Sequence, residues 1–356
     1  MKVLFLTNLP SPYRVEFFNQ LSKYVDLHVL FENNINNHRN SDWFDYDHDK
    51  FKSYYLNKNL LKLLHEINPD IVINCNYSSI NGILTAFYSK LKRKIYLIEA
   101  DGGIVIKRNK IIELAITYLF SLCDIFMSSS IYTDEYITYY KVPKSKIRHF
   151  RFSSLTNDEI NKNSSNIRIS SSPNLELLYI GQIIHRKGLD ILLRALENVE
   201  NVNLRIIGGL ETNDLKKIRE ELKLKNIEYI DFINKTKLLE YYKNSDTFIL
   251  PSREEIWGLV LNEAISFNLP FISSSNCIAA KTFNECGLIF ENESIIDLRN
   301  KIEQIKDKKL RDTLSSKCNI INKEYSIEKM VIDHMDVFNE LMKGSSNEII
   351  NNSTNI

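Results

Sequence analysis

Glu255 and Glu263 stand eight positions apart in Glu255-Ile256-Trp257-Gly258-Leu259-Val260-Leu261-Asn262-Glu263, directly after the apolar run Thr247-Phe248-Ile249-Leu250 and the breaker Pro251-Ser252. That order predicts a strand, a loop holding Glu255, and a helix with Glu263 in its first turns. Helical Cα–Cβ bonds tilt toward the N-terminus, so Glu263 is expected to reach back toward the loop. The free N–H groups of Trp257, Gly258, Leu259 and Val260 would point at the same spot and favour an anion there. Two carboxylates that accept from hydroxyls, beside a donor cradle for phosphate, suit a nucleotide-sugar. The plainer alternative is an amphipathic helix with one solvated and one capping glutamate.

A second constellation is Gly181-Gln182-Ile183-Ile184-His185-Arg186-Lys187-Gly188, between the apolar run at 176–180 and a helical pattern at 188–196. Gly181 would let the backbone turn sharply beside a ligand. Arg186 and Lys187 offer positive charge to a diphosphate near a helix N-terminus. A surface Arg-Lys pair in an ordinary loop is the alternative. Ile206-Ile207-Gly208-Gly209 ends the next apolar run, and Phe232-Ile233-Asn234 follows the one after.

Together these segments, with Glu263-Ala264 and Leu269-Pro270-Phe271-Ile272, resemble the signature of glycosyltransferase family 4, retaining enzymes of the GT-B fold. The resemblance implies that Glu255 contacts the transferred sugar and Glu263 the ribose. It makes 181–188 the phosphate-binding loop, in which an Arg usually follows the first Gly and a Lys precedes the second. Lys187-Gly188 matches, but Gln182 occupies the Arg position, and Arg186 would have to compensate. Gly208 falls at the glycine turn beside the nucleotide, and Ile233 where the nucleobase is held.

In the first half, Glu99-Ala100-Asp101-Gly102-Gly103 ends an apolar run where many family members carry a His. Asp101 is the candidate for the acceptor hydroxyl; an Asp-Gly turn is the alternative. Asn8-Leu9-Pro10-Ser11-Pro12-Tyr13-Arg14 resembles an N-terminal loop of part of the family, from which Arg14 could face the cleft. Asp45-Tyr46-Asp47-His48-Asp49 contains a D-x-D but reads as a solvated acidic turn, so no metal and no cofactor is implied. Lys107, Arg108 and Lys110 precede an apolar helical stretch, which is either a solvated face with a core helix or a membrane-surface contact.

Bulk properties agree with a soluble enzyme. Of 356 residues, 44% are hydrophobic and 26% charged, and the net charge of +1 argues against a nucleic-acid binder. Five scattered cysteines lack C-x-x-C spacing, which points to free thiols rather than a disulfide framework or zinc site. The apolar N-terminal run is too short for a signal peptide, and no window is long enough to span a membrane. A cytoplasmic protein, peripheral at most, is expected.

Apolar runs alternate with helical patterns from end to end, which predicts α/β architecture with parallel sheets. The expected fold is GT-B: two doubly wound Rossmann-like domains facing each other across a cleft. The expected bounds are 1–160 for an acceptor-side domain, 161–173 for a serine-rich linker, and 174–325 for a nucleotide-sugar domain. Residues 298–314 read as one helix within the second domain, and a C-terminal helix at 326–343 and a disordered tail at 344–356 complete the chain. The expected activity is transfer of a sugar from a nucleotide-sugar to a glycan or lipid-linked glycan, as in surface-polysaccharide synthesis. A nucleotide-sugar epimerase of the same architecture, or a non-catalytic glycan- or nucleotide-sugar-binding protein, are the rival readings.

Overall fold

The computed structural model describes residues 1–33, 50–56, 59–165 and 172–353. The D-x-D at 45–49 lies outside the described residues, as do residues 166–171 of the expected linker. The chain divides into two compact units, Met1–Ser153 with Ile327–Ile356, and Ser154–Ser326.

The first unit is built on seven parallel strands: β1 (Lys2–Thr7), β2 (Asp26–Phe31), β3 (Lys52–Tyr55), β4 (Ile71–Asn74), β5 (Ile95–Ala100), β6 (Ile125–Ser128) and β7 (Ile147–His149), in the order β3-β2-β1-β4-β5-β6-β7. The second has six: β8 (Leu175–Ile180), β9 (Val202–Ile207), β10 (Ile227–Ile230), β11 (Thr247–Leu250), β12 (Phe271–Ser274) and β13 (Gly287–Phe290), in the order β10-β9-β8-β11-β12-β13. Every strand pair is parallel. Both units are therefore Rossmann-like α/β domains, as the alternation predicted. Central strands such as Ile71–Asn74 and Thr247–Leu250 are buried along their whole length, because helices cover both sheet faces.

Strand order reverses between β1 and β4 in the first sheet and between β8 and β11 in the second. Ligands of such sheets bind outside the carboxyl ends of the strands at that reversal. In the second unit those ends lead directly into residues 181–188 and 251–258.

Three local readings are corrected. Asn157–Ser164 is a helix rather than the approach to a linker, held by a capping box in which Thr156 and Glu159 bond each other's backbone N–H. The single helix expected over 298–314 is two, Ile295–Ile305 and Lys308–Ile321, because Asp307 caps the second and accepts from the Lys309 N–H. The C-terminal helix spans Ile327–Ser353, past Gly344 where a tail was expected.

Candidate functional site

Residues 181–188 and 251–258 are locked together by backbone contacts. The Arg253 N–H donates to the Arg186 carbonyl at 2.9 Å. Gly188 sits at φ +69°, and a Cβ there would lie 2.1 Å from the Pro251 carbonyl oxygen. Only glycine allows both that conformation and that approach. Arg253 adds a side-chain clamp, with bonds of 2.8 and 2.7 Å to Asp190 and one of 2.8 Å to Glu293. Those bonds, with Asp190 foremost, push the guanidinium pKa upward.

Within this frame Lys187 donates to Glu255 Oε2, and Ser252 Oγ donates to the same oxygen at 3.2 Å. The Lys187 and Glu255 side chains are only 13% and 14% exposed, so their charges meet away from bulk water. Arg186 is more open: Nη1 bonds the Glu254 carbonyl at 2.7 Å and lies 3.9 Å from Glu255 Oε2. Gln182 is exposed, and its carbonyl accepts from the buried Tyr179 hydroxyl at 2.8 Å. The N–H of Gly181 donates to Ile207 and that of Gly208 to Ile230, which fixes both turns at the ends of β8 and β9.

The helix Leu259–Ser266 starts at Gly258, which has φ +102° and no side-chain cap. The first N–H groups of a helix lack intrahelical partners, so those of Leu259 and Val260 are presented at its open end. Leu261 N–H returns to the Gly258 carbonyl at 2.8 Å. Trp257 turns inward: its indole N–H donates to Asn262 Oδ1 at 2.9 Å, and its ring meets the edge of Phe283. Its backbone, not its side chain, is what it can offer a ligand.

Glu263 takes a different partner from Glu255. Its Oε2 accepts from the Tyr242 hydroxyl at 2.9 Å, where the sequence placed it reaching back toward the loop of Glu255. The reason is the phenol: Tyr242 is buried and stacked on Phe267 at 4.7 Å, and a buried hydroxyl needs an acceptor. Burial first, then the Glu263 charge, pushes the Tyr242 pKa up. Glu263 and Tyr242 line a cavity of about 170 Å³ together with Asn163, Leu238 and Phe267. Ile233 is half-buried and Phe232 exposed at the end of β10.

In the first unit Asp101 is half-buried just past β5, and burial raises its carboxyl pKa against the pull of Arg14. Arg14 does not present itself to a ligand. It is buried, and Nη1 lies 2.5 Å from Glu99 Oε1. Glu99 Oε2 is 3.0 Å from Nε2 of buried His334, whose Nδ1 is 2.7 Å from the Met330 carbonyl. A buried carboxylate recruits its cation inward, which the loop sequence around Arg14 did not reveal.

Residues 161–320 match the family model described as glycosyl transferases group 1. That stretch is therefore similar to group 1 glycosyltransferase domains. It contains Gly181, Lys187, Glu255 and Glu263, so these donor-side candidates lie inside the matched region and Asp101 lies outside it. Among curated relatives, an uncharacterised glycosyltransferase of Methanocaldococcus jannaschii is 28% identical over 172 residues, 46% of this chain and 48% of its own length. The capsular polysaccharide biosynthesis glycosyltransferase CapM of Staphylococcus aureus is 26% identical over 282 residues, covering 72% of this chain and 73% of CapM. The chain spans about half the length of the first curated relatives it matches.

Among solved structures, a Rickettsia africae glycosyltransferase superposes with TM-score 0.76 at 16% identity, over 96% of this chain and 98% of that one. Anabaena HepE in complex with UDP gives TM-score 0.76 at 13% identity, over 96% and 100%. At such identities the likeness is one of fold, and these neighbours are GT-B glycosyltransferases. The two Rossmann-like domains agree with the GT-B fold that the resemblance implied, and the Glu255 and Lys187 motifs fall within the matched glycosyltransferase region.

Proposed function

We propose that this chain is a retaining family 4 glycosyltransferase of the hexosyltransferase type. It would move a sugar from a nucleotide-sugar to a glycan or lipid-linked glycan in surface-polysaccharide synthesis. The observation that carries this reading is the Lys187–Glu255 pair at the carboxyl ends of β8 and β11. A cation able to meet a diphosphate stands there against a carboxylate able to meet sugar hydroxyls.

Lys187, with Arg186 beside it, would stabilise the departing diphosphate, helped by the open amides of Leu259 and Val260. These side chains supply the cation, so the reading requires no divalent metal. When a diphosphate engages Lys187, Glu255 is freed from its partner and can turn to the transferred sugar. Glu263, oriented by Tyr242, would take the ribose. The Gly181-Gln182 turn and Gly208 would border the diphosphate, Ile233 the nucleobase, and Asp101 the acceptor hydroxyl.

HepE was solved with UDP and with UDP-glucose, which makes uridine nucleotides the first donors to try. The capsular and O-antigen biosynthesis relatives support a surface glycan as acceptor. A thermal-shift screen across nucleotide-sugars tests the reading, because a ligand that binds only the folded chain raises its Tm. One donor should stand out, and incubation with it alone should leave its sugar unepimerised. A flat screen, or a changed sugar without acceptor, would reject the proposal.

A further inference from the structure

Two helices of the first unit carry their large apolar side chains on the wrong side for a solvated surface. In Ile80–Leu91 the buried face consists of Gly82, Thr85, Ala86, Tyr88 and Ser89, mostly small or polar. Ile80, Leu84, Phe87 and Leu91, at i, i+4, i+7 and i+11, face out instead, and Leu91 is 82% exposed. The helix Lys110–Ser121 buries only Phe120, with Ile116 packed partly against the core. Its outward stripe is Ile111, Leu114 and Tyr118, with Ile111 75% and Leu114 69% exposed. Phe87 meets Tyr118 with ring centroids 6.4 Å apart, so the two stripes form one surface.

The rim of this surface is basic. Lys107, Arg108 and Lys110 are exposed where the second helix begins, and Lys90, Lys92 and Arg93 where the first ends. The acid on the second helix, Glu113, is engaged by the Tyr139 hydroxyl and the Arg108 N–H. Asp124 is paired with Lys90. Among the described residues no helix is long and apolar enough to cross a membrane. An apolar face of this size, rimmed by cations on helices too short to span, matches a surface that is anionic outside and apolar just beneath.

We infer that the outward faces of helices Ile80–Leu91 and Lys110–Ser121 dock this protein on an anionic lipid bilayer. The aliphatic and aromatic stripes would enter the acyl boundary while the lysines and arginines meet lipid phosphates. The inference does not depend on the donor site and is read by binding alone.

The test is flotation of the full chain with phosphatidylcholine vesicles, with and without phosphatidylglycerol. The parent should float with the anionic vesicles and at least about tenfold less with neutral ones. Leu91→Glu combined with Leu114→Glu should abolish flotation while leaving the Tm and circular dichroism unchanged, since both residues are exposed. Lys107→Ala combined with Arg108→Ala should weaken anionic binding by roughly tenfold or more, at about fivefold per basic residue. Three results would overturn the inference: a parent that stays with the soluble fraction, a double glutamate variant that floats like the parent, or a parent dimer that does not float and that Leu114→Glu dissociates.

Discussion

Lys187 places its ammonium on the carboxylate of Glu255, although the two residues lie 68 positions apart on separate strand-to-helix loops. Adjacent strands β8 and β11 deliver them to the same place, and Gly188 lets the loops close. Little water reaches the pair, so removing either partner leaves a charge in a poorly solvated site. The two side chains will therefore not behave as independent units.

That coupling sets the first expectation. Lys187→Ala should weaken binding of a nucleoside diphosphate and of its sugar donor alike, by roughly tenfold to a hundredfold, because a buried charge-assisted contact is worth about 1.5–3 kcal/mol. Titration calorimetry on the folded variant measures this. In a double-mutant cycle with Glu255→Ala, the effects on stability should be less than additive, since either change alone strands the other charge. Unchanged diphosphate affinity would remove Lys187 from the site.

Gly188 gives a stability test. Gly188→Ala would put a methyl against the Pro251 carbonyl at a left-handed φ of +69°. A loss of about 1–3 kcal/mol in urea unfolding is expected. Diphosphate affinity should fall as well, because the loop cannot hold Lys187 in place once displaced.

What could be seen in the sequence depended on burial. Central strands such as Leu175–Ile180 and Thr247–Leu250 are apolar except for Glu176 and Thr247 and stand out as runs. Lys52–Tyr55 and Ile147–His149 give no such run, and both lie at sheet edges with a single neighbour. An edge strand is covered on fewer sides and need not be continuously apolar. The helix Asn157–Ser164 is polar, but Thr156 and Glu159 did announce it as a capping box. Tyr242 holding Glu263, 21 positions away, and His334 meeting Glu99, 235 positions away, had no local signal. Such pairs are made by topology, and a single sequence carries no mark of them.

The buried Glu99 predicts an acid-dependent stability difference. Burial alone would raise its carboxyl pKa, but the Arg14 charge and the His334 hydrogen bond outweigh it and hold the group at about 2, against an ordinary value of 4.5. A lowered pKa contributes stability that is complete above the ordinary value and is lost as pH falls toward the folded one. Glu99→Gln should therefore cost about 3 kcal/mol at pH 7. Its deficit relative to the parent should shrink between pH 4.5 and 2. Parallel urea series at several pH values measure that difference; a deficit constant with pH would mean the charge is not what Arg14 and His334 stabilise.

Turnover should survive excess EDTA, because Lys187 and Arg186 are assigned the charge that a divalent ion would otherwise bring to the diphosphate. Activity lost to EDTA and restored by Mg²⁺ or Mn²⁺ would return attention to Asp45, Asp47 and Asp49.

The two glutamates should separate by what they bind. Glu263 is assigned to the ribose, common to donor and product, so Glu263→Ala should lower affinity for both. Tyr242→Phe removes the 2.9 Å bond that orients that carboxylate and should reproduce part of the loss, by severalfold. Glu255 is assigned to the transferred sugar alone, so Glu255→Ala should leave bare diphosphate affinity nearly intact. Freeing Lys187 from its carboxylate should, if anything, tighten diphosphate binding. The loss should appear in kcat, because contacts that strengthen as the glycosidic bond breaks act on turnover. Glu255→Gln keeps the shape and a hydrogen bond from Lys187 but removes the charge, and it should turn over far more slowly than the parent. Parental turnover in Glu255→Gln, or diphosphate binding lost as badly in Glu255→Ala as in Glu263→Ala, would refute this division of roles.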